Sequence, residues 1–453
     1  MAESTNTIQK EIQDREAKEK RELRRKRRRR NQILAILTLL LFVCLIVAII
    51  GTGVWYIMHR GAGKTAGGGA ATTEETTIDN LFESEDEIVK PEETNTEPAL
   101  TPEQQLDAIL DEAFISQMPL EDKVAGLFIV TPESITGVNK AVKAGDGTKD
   151  ALNKYAVGGI VYASQNMQDA AQFTEMVSNT TLYSRYALFT CVAEEGGSST
   201  SLEKAGLADK TDSEQAMGTG ADAAKAYEAS GKIADSMLTY GLNLNFAPVA
   251  DLATVQDSYL KDVSYGSDAA LAASFVTSAV QGMQEKGISS CLKYFPGAAD
   301  MKEDPAKGMA SSERTAEQLA AEEFTVFKAG IDAGADMVMV GHVAVPALTG
   351  DNTPCSLSSA VITDKLRNEL GFNGVIITDA MNKGAITEYY EADEAAILAL
   401  KAGCDMILCP DDFEKAYNGV LEAVQNGTIS EERINDSLRR IYRIKYAGMM
   451  PEA

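Results

Sequence analysis

Gly371-Phe372-Asn373-Gly374-Val375-Ile376-Ile377-Thr378-Asp379 is the stretch on which the fold turns. Its middle, Gly374–Thr378, is a near-continuous apolar run, and Asp379 emerges directly from its end. Ahead of it, Ser358–Leu370 carries a helical pattern. A helix that feeds a fully apolar strand is what a parallel sheet covered on both faces produces. A carboxylate at the end of such a strand has little reason to be there for packing.

The same unit repeats outward in both directions. Eight apolar runs occur: Val124–Val130, Val157–Ala163, Ala187–Val192, Leu242–Ala250, Ile288–Phe295, Ala335–Val343, Gly374–Thr378 and Cys404–Cys409. The first and last begin 280 residues apart, or about 40 per unit. Helical patterns lie between most of them, clearest at Ala223–Tyr240, Ala269–Lys286, Ala316–Ala333, Ser358–Leu370 and Glu391–Ala402. Gly241, Gly287, Gly334 and Gly403 follow helices, the usual stop signal. Eight such units predict an α/β fold of the closed (β/α)8, TIM-type barrel class. A doubly wound open sheet is the alternative. It is weakened because no G-x-G-x-x-G follows the first run, and no phosphate-binding Walker loop appears.

Before the barrel the composition changes twice. The chain of 453 residues has a formal net charge of -25, yet residues 1–30 hold 12 Lys/Arg against 6 Asp/Glu. That basic block ends in Arg24-Arg25-Lys26-Arg27-Arg28-Arg29-Arg30, and Ile33–Met58 then contains no charged residue. As a helix this apolar run is about 39 Å long, enough to cross a hydrocarbon core of about 30 Å. Trp55 and Tyr56 at its far end suit the interface, and the Arg run reads as a positive-inside stop. The competing reading, a cleaved signal peptide, has a shorter apolar core. The expected organisation is a basic cytoplasmic segment over 1–32, one transmembrane helix over 33–58, an acidic flexible stalk over 59–100 and the barrel over 101–450. The protein is then a single-pass protein of the cell membrane, with its N-terminus cytoplasmic and its barrel extracellular. Ordered sequence is expected to begin at Thr101-Pro102-Glu103-Gln104, a helix start with Pro just inside the cap.

The remaining acidity argues against nucleic acid as a partner. Two histidines, His59 and His342, rule out a His-rich metal site, and no cofactor is indicated. Five cysteines beyond the apolar span are an odd number and read as buried small hydrophobes.

In a barrel of this class functional side chains lie at the C-terminal ends of the strands. Those ends offer Glu194-Glu195, Asp251, Lys293-Tyr294, His342, Asp379 and Asp411-Asp412. Carboxylates, one Lys and one His on one rim suit acid/base or glycosyl chemistry better than redox or metal chemistry. Asp251 and Asp411 equally suit caps or turns, and His342 a buried group donating to a backbone carbonyl. Lys293 and Asp379 are the hardest to explain as structure.

These residues resemble glycoside hydrolase family 3, in its single-barrel, β-N-acetylhexosaminidase-like branch. The resemblance covers roughly residues 105–446. It is carried by Met118–Val124, Val157–Val161, Asn245–Asp251, Lys293–Gly297 and above all Gly371–Asp379. It implies that Asp379 is the nucleophile of a retaining hydrolysis and that Lys293, Tyr294, His342, Glu195 and Asp251 meet the sugar. It also implies an N-acetylglucosamine-containing glycan as partner, possibly peptidoglycan.

The departures are as specific. Where the branch has Lys-His-Phe-Pro-Gly-His-Gly, this chain has Lys293-Tyr294-Phe295-Pro296-Gly297-Ala298-Ala299. The Asp-Ser-His that carries the acid/base is Asp304-Pro305-Ala306, the sugar-binding Arg is Val263, and the Asp of Asp-Gln-Glu-Gly-Gly is Ala193. General acid/base help is worth about 10²–10⁴-fold. The expectation is a hydrolase of strongly reduced activity; the alternative is a non-catalytic barrel that binds glycan or a surface protein. Asp300, Glu303 and Asp304 are the conceivable replacement acids.

Overall fold

All eight apolar runs contain a strand, and the eight strands close on themselves. The computed structural model describes residues 102–197, 200–298 and 300–447. The expected cytoplasmic segment, transmembrane helix and stalk lie outside the described residues. Among the described residues no helix is long and apolar enough to cross a membrane.

The strands are β1 Phe128–Val130, β2 Gly159–Val161, β3 Phe189–Val192, β4 Leu244–Asn245, β5 Ser289–Phe295, β6 Met337–Val340, β7 Val375–Ala380 and β8 Met406–Leu408. They run parallel in the order β1 to β8, and β1 pairs with β8 through Phe128 to Ile407 and Ile129 to Leu408. The fold is therefore the closed barrel, and the open sheet is excluded. Both faces are covered, which is why the strands read as apolar runs rather than alternating ones.

Strand β4 is much shorter than its run, for a local reason. Asn243 and Asn245 use side-chain amides in place of ladder bonds to β3: Asn243 accepts from Thr190 N at 2.8 Å and Asn245 from Glu194 N at 2.9 Å. Pro248, with no N–H to give, follows. The extended chain still lies along β5, where Cys291 N donates to Ala247 O at 2.9 Å and Lys293 N to Pro248 O at 3.2 Å.

The covering helices α1 Ala224–Thr239, α2 Ala269–Gln284 and α3 Ala392–Ala402 fall where the pattern places them, and α4 Phe413–Gln425 and α5 Glu431–Tyr446 follow β8. Gly403 shows why α3 stops there: its φ is +119°, and a Cβ would sit 2.6 Å from Thr363 Oγ1. Two segments differ from the pattern. Ala316–Ala333 is two helices that meet at Glu322, where φ and ψ leave helical values. There Glu322 and Glu323 both hold Arg314, at 2.6 and 2.7 Å. Ala360–Glu369 is wound wider than an α-helix, ending with Leu370 N on Lys365 O at 2.9 Å.

The face of the barrel opposite the site is tied by charge. Buried Asp405 accepts from Arg367 at 2.7 Å, Arg440 at 3.0 Å, Ser437 at 2.9 Å and Ile376 N at 2.9 Å. The five cysteines among the described residues form no disulfide.

Candidate active site

At the C-terminal ends of the strands lies a cavity of about 260 Å³. Glu195, Tyr259, Val263, Tyr294, Asp304, Pro305, Ala306, His342, Asp379 and Lys383 are among the residues that line it.

Asp379 is carried into it by β7. Oδ1 accepts from Ala380 N at 2.7 Å, and Oδ2 from Lys383 Nζ at 2.6 Å. Burial alone would raise its carboxyl, but the Lys383 ammonium beside it holds it below the ordinary carboxylate range. Asp379 is thus held as a carboxylate at the cavity wall.

His342 follows β6 and is buried. Its Nε2 lies 2.9 Å from Ala380 O and its Nδ1 2.8 Å from Ser356 Oγ. A carbonyl only accepts, so Nε2 carries the proton and Nδ1 accepts from the Ser356 hydroxyl. Burial pushes the imidazole pKa down, in keeping with a neutral ring. Its ring forms part of the cavity wall, while both nitrogens are engaged by the protein. This is the backbone-donating role that the sequence left open for it.

Lys293 and Tyr294 both serve the site, the Lys293 ammonium lying 5.4 Å from the centre of the Tyr294 ring. Tyr294 faces the cavity; Lys293 is 2% exposed and is absent from its lining. The Lys293 ammonium pairs with Glu195, which does line the cavity. Burial alone would lower the Lys293 pKa; the Glu195 carboxylate outweighs it and holds the ammonium above its usual range. Behind this pair Glu214 accepts from Val249 N at 3.0 Å. Its carboxyl is driven well up, by burial first and by Glu195 second.

Asp251 is not brought into the cavity. It is buried, and its two oxygens accept from Leu252 N at 2.8 Å and from Ala298 N at 2.9 Å. It fixes the chain that leaves β5, where Gly297 takes φ +111° and a Cβ would sit 2.4 Å from Glu323 Cγ. The turn reading, rather than the sugar-binding one, describes its surroundings. Asp411 lines a different cavity, and the cap of α4 is its neighbour Asp412, which accepts from Lys415 N at 3.0 Å.

Of the three replacement acids, Asp304 alone lines the cavity. It caps the turn Pro305–Lys307 by accepting from Ala306 N at 2.9 Å. Asp300 is held by Ser312 Oγ at 2.6 Å and Glu313 N at 3.2 Å, and Glu303 is exposed.

Sequence reasoning missed Lys383, Tyr259 and Glu214. Lys383 stood four residues after Asp379, a spacing that can return an ammonium to a carboxylate. Tyr259 lies in the long segment after β4, which has no periodicity to read. Its phenol is pushed well up by burial and by Asp251, Tyr294, Asp379 and Asp304, so it faces the cavity as an O–H.

A parallel (β/α)8 barrel with a carboxylate in a cavity at its C-terminal rim is an architecture that can host glycosyl chemistry. Residues 119–444 match the glycosyl hydrolase family 3 N-terminal domain, and the chain belongs to that family. It is 30% identical over 284 residues to a beta-hexosaminidase of Stenotrophomonas maltophilia, covering 60% of this chain and 82% of that one. Among solved structures it resembles a family 3 beta-N-acetylglucosaminidase from Paenibacillus sp. FPU-7, with a TM-score of 0.69 and 32% identity. That match covers 74% of this chain and 64% of the Paenibacillus chain, so the latter extends well beyond the shared part. A beta-N-acetylhexosaminidase from Beutenbergia cavernae aligns with a TM-score of 0.65 at 25% identity, over 73% of this chain and 99% of that one.

Proposed function

We propose that this family 3 protein is a membrane-anchored, extracellular hydrolase that removes N-acetylglucosamine-type sugars from cell-wall or extracellular glycans with retention, at a strongly reduced rate. The observation that carries this reading is the pairing of contents in one cavity. Asp379 is present and ionised, while Ala306 occupies the wall where the resemblance expects the acid/base histidine. The substrate class follows from the hexosaminidases that the chain resembles. The anchoring follows from the Arg24–Arg30 block before Ile33–Met58.

In the proposed reaction an oxygen of Asp379 attacks the anomeric carbon and the glycosidic oxygen departs with the bonding pair. That oxygen takes its proton from water, since Ala306 has none to give. Water then attacks the glycosyl-enzyme, releases the sugar and restores the carboxylate, its spare proton passing to solvent or to Asp304. The neutral His342 and the buried Lys293–Glu195 pair hold the walls in place. Loss of acid assistance costs about 10²–10⁴-fold, and it falls on poor leaving groups.

The test is turnover by the detergent-solubilised full chain. A dinitrophenyl β-N-acetylglucosaminide is expected to react far faster than chitobiose, and Asp379→Ala to abolish both reactions. Turnover of the aryl glycoside that survives Asp379→Ala sinks the reading. For the topology, a protease added to intact cells should remove the barrel and spare the N-terminal segment; the reverse pattern refutes it.

A second reading, a non-catalytic barrel that binds glycan or a surface protein, is favoured by Val263 and Ala306 in the cavity wall and by Lys383 on Asp379. Saturable glycan binding with no turnover of even the dinitrophenyl glycoside would select it.

A further inference from the structure

Asp379 is not free to react as it stands. Its Oδ1 is committed to the N–H of Ala380 at 2.7 Å, and its Oδ2 is held by Lys383 Nζ at 2.6 Å. Each oxygen of Asp379 thus carries one donor, and the donor on Oδ2 is a charged ammonium. The Lys383 side chain is 26% exposed and that of Asp379 8%, and both line the cavity. The ammonium also lies 5.4 Å from the centre of the Tyr294 ring, on the cavity wall.

The backbone that carries Lys383 is fixed. Lys383 N donates to Ala380 O at 3.2 Å, and Lys383 O accepts from Ile386 N at 2.9 Å and Thr387 N at 3.0 Å. Release of Asp379 thus falls to rotation of the lysine side chain, whose stem has many rotamers.

Charge gives this contact a consequence. Glycosyl transfer passes through a transition state with positive charge on the sugar ring. An ammonium on the same carboxylate opposes that charge. With about 5 Å between them and an effective dielectric near 20, partial charge development corresponds to about 10- to 100-fold. An uncharged sugar meets no such penalty.

Resting on the reading of Asp379 as nucleophile, we propose that Lys383 restrains this site. It covers Oδ2 of Asp379 and selects against cationic ligands and cationic transition states, so that cleavage waits on its displacement. The residue is then a specificity-determining one. It sets a rate deficit that the missing acid/base does not explain, and that good leaving groups do not repair.

The test uses the full chain, Lys383→Met, which removes the charge at similar length, and Lys383→Arg, which keeps the charge. Calorimetry measures the affinity of a protonated iminosugar of N-acetylglucosamine configuration and of neutral N-acetylglucosamine. Their ratio separates charge from shape. Lys383→Met is expected to shift the ratio about 10- to 100-fold in favour of the iminosugar, and Lys383→Arg to leave it within about threefold. An unchanged or opposite ratio in Lys383→Met overturns the proposal, as does failure of both forms to bind the iminosugar. If Lys383→Met does not fold, Lys383→Gln makes the same comparison. The nucleophile is tested apart, by covalent labelling with an activated 2-fluoro glycoside. A shifted ratio without labelling of Asp379 keeps the restraint and removes the nucleophile; labelling with an unshifted ratio does the opposite.

Discussion

His342 Nε2 lies 2.9 Å from the carbonyl of Ala380, whose own N–H is given to Asp379 at 2.7 Å. The histidine therefore grips the residue whose N–H holds Asp379, and Ser356 at 2.8 Å fixes the ring in turn. Removing it leaves the Ala380 carbonyl with Lys383 N as its donor, at 3.2 Å, and loosens the end of β7. His342→Ala should lower kcat on an activated aryl glycoside by about 10- to 100-fold, with a smaller change in KM. It should also cost about 1–3 kcal/mol of stability. His342→Gln, which can donate to the same carbonyl, should recover part of kcat. A His342→Ala enzyme with unchanged kcat and a raised KM would show instead that the ring binds sugar directly.

The architecture was readable because a parallel strand buried on both faces leaves an unbroken apolar run, and all eight runs hold strands. The helix expected over Ala316–Ala333 breaks at Glu322, where Arg314, just ahead of the helix, claims two adjacent carboxylates. The apolar period of the stretch runs through that point and does not mark the break. The rim itself was legible, since strand ends are fixed once strands are. Which rim residues meet the cavity was not. Lys293 and Tyr294 are consecutive, and Tyr294 lines the cavity directly while the buried Lys293 meets it through Glu195. Asp251 ends its run much as Asp379 does, yet it spends both oxygens on backbone N–H groups. Loops contributed Tyr259 and Lys383, where no period links sequence to direction.

Gly384 marks the contact between the loop after β5 and the loop after β7. A Cβ there would sit 2.8 Å from Gly308 N and 3.0 Å from Lys307 C, both backbone atoms. Gly384→Val must push the Pro305–Lys307 turn away from Lys383 and Asp379. That turn supplies Pro305 and Ala306 to the cavity wall. The expected result is a KM raised several-fold, with a melting temperature that falls by only a few degrees because the turn lies outside the barrel core. A crystal structure of the variant with the turn unmoved would refute this account.

Glu194 provides a pH signature. It is buried, and its Oε1 accepts from Ser201 N at 2.5 Å and Leu202 N at 2.8 Å. Burial nevertheless pushes its carboxyl up from 4.5 to about 7. The folded pKa is raised, so the stability it contributes is full below about 4.5 and is lost as pH rises through about 7. Glu194→Gln keeps a neutral acceptor at every pH. Thermal melts from pH 5 to pH 8 should therefore fall less for Glu194→Gln than for the parent. Parallel curves would mean that Glu194 is ionised throughout.

Ala306 offers the sharpest prediction. It lines the cavity with Asp379 and is exposed, so a larger side chain has room to enter from the turn. Asp304 already holds the Ala306 N–H at 2.9 Å, which fixes where a side chain at 306 would start. Ala306→His places an imidazole where the family resemblance expects the acid/base, with the Asp304 carboxylate two residues away to orient it. An acid assists the departure of a poor leaving group and does little for a good one. The variant should therefore raise kcat/KM on chitobiose by about 10-fold or more while changing dinitrophenyl glycoside turnover by less than about threefold. Equal gains on both substrates would point to altered binding, and no gain on either would mean that the Asp304–Lys307 turn does not bring residue 306 to the glycosidic oxygen.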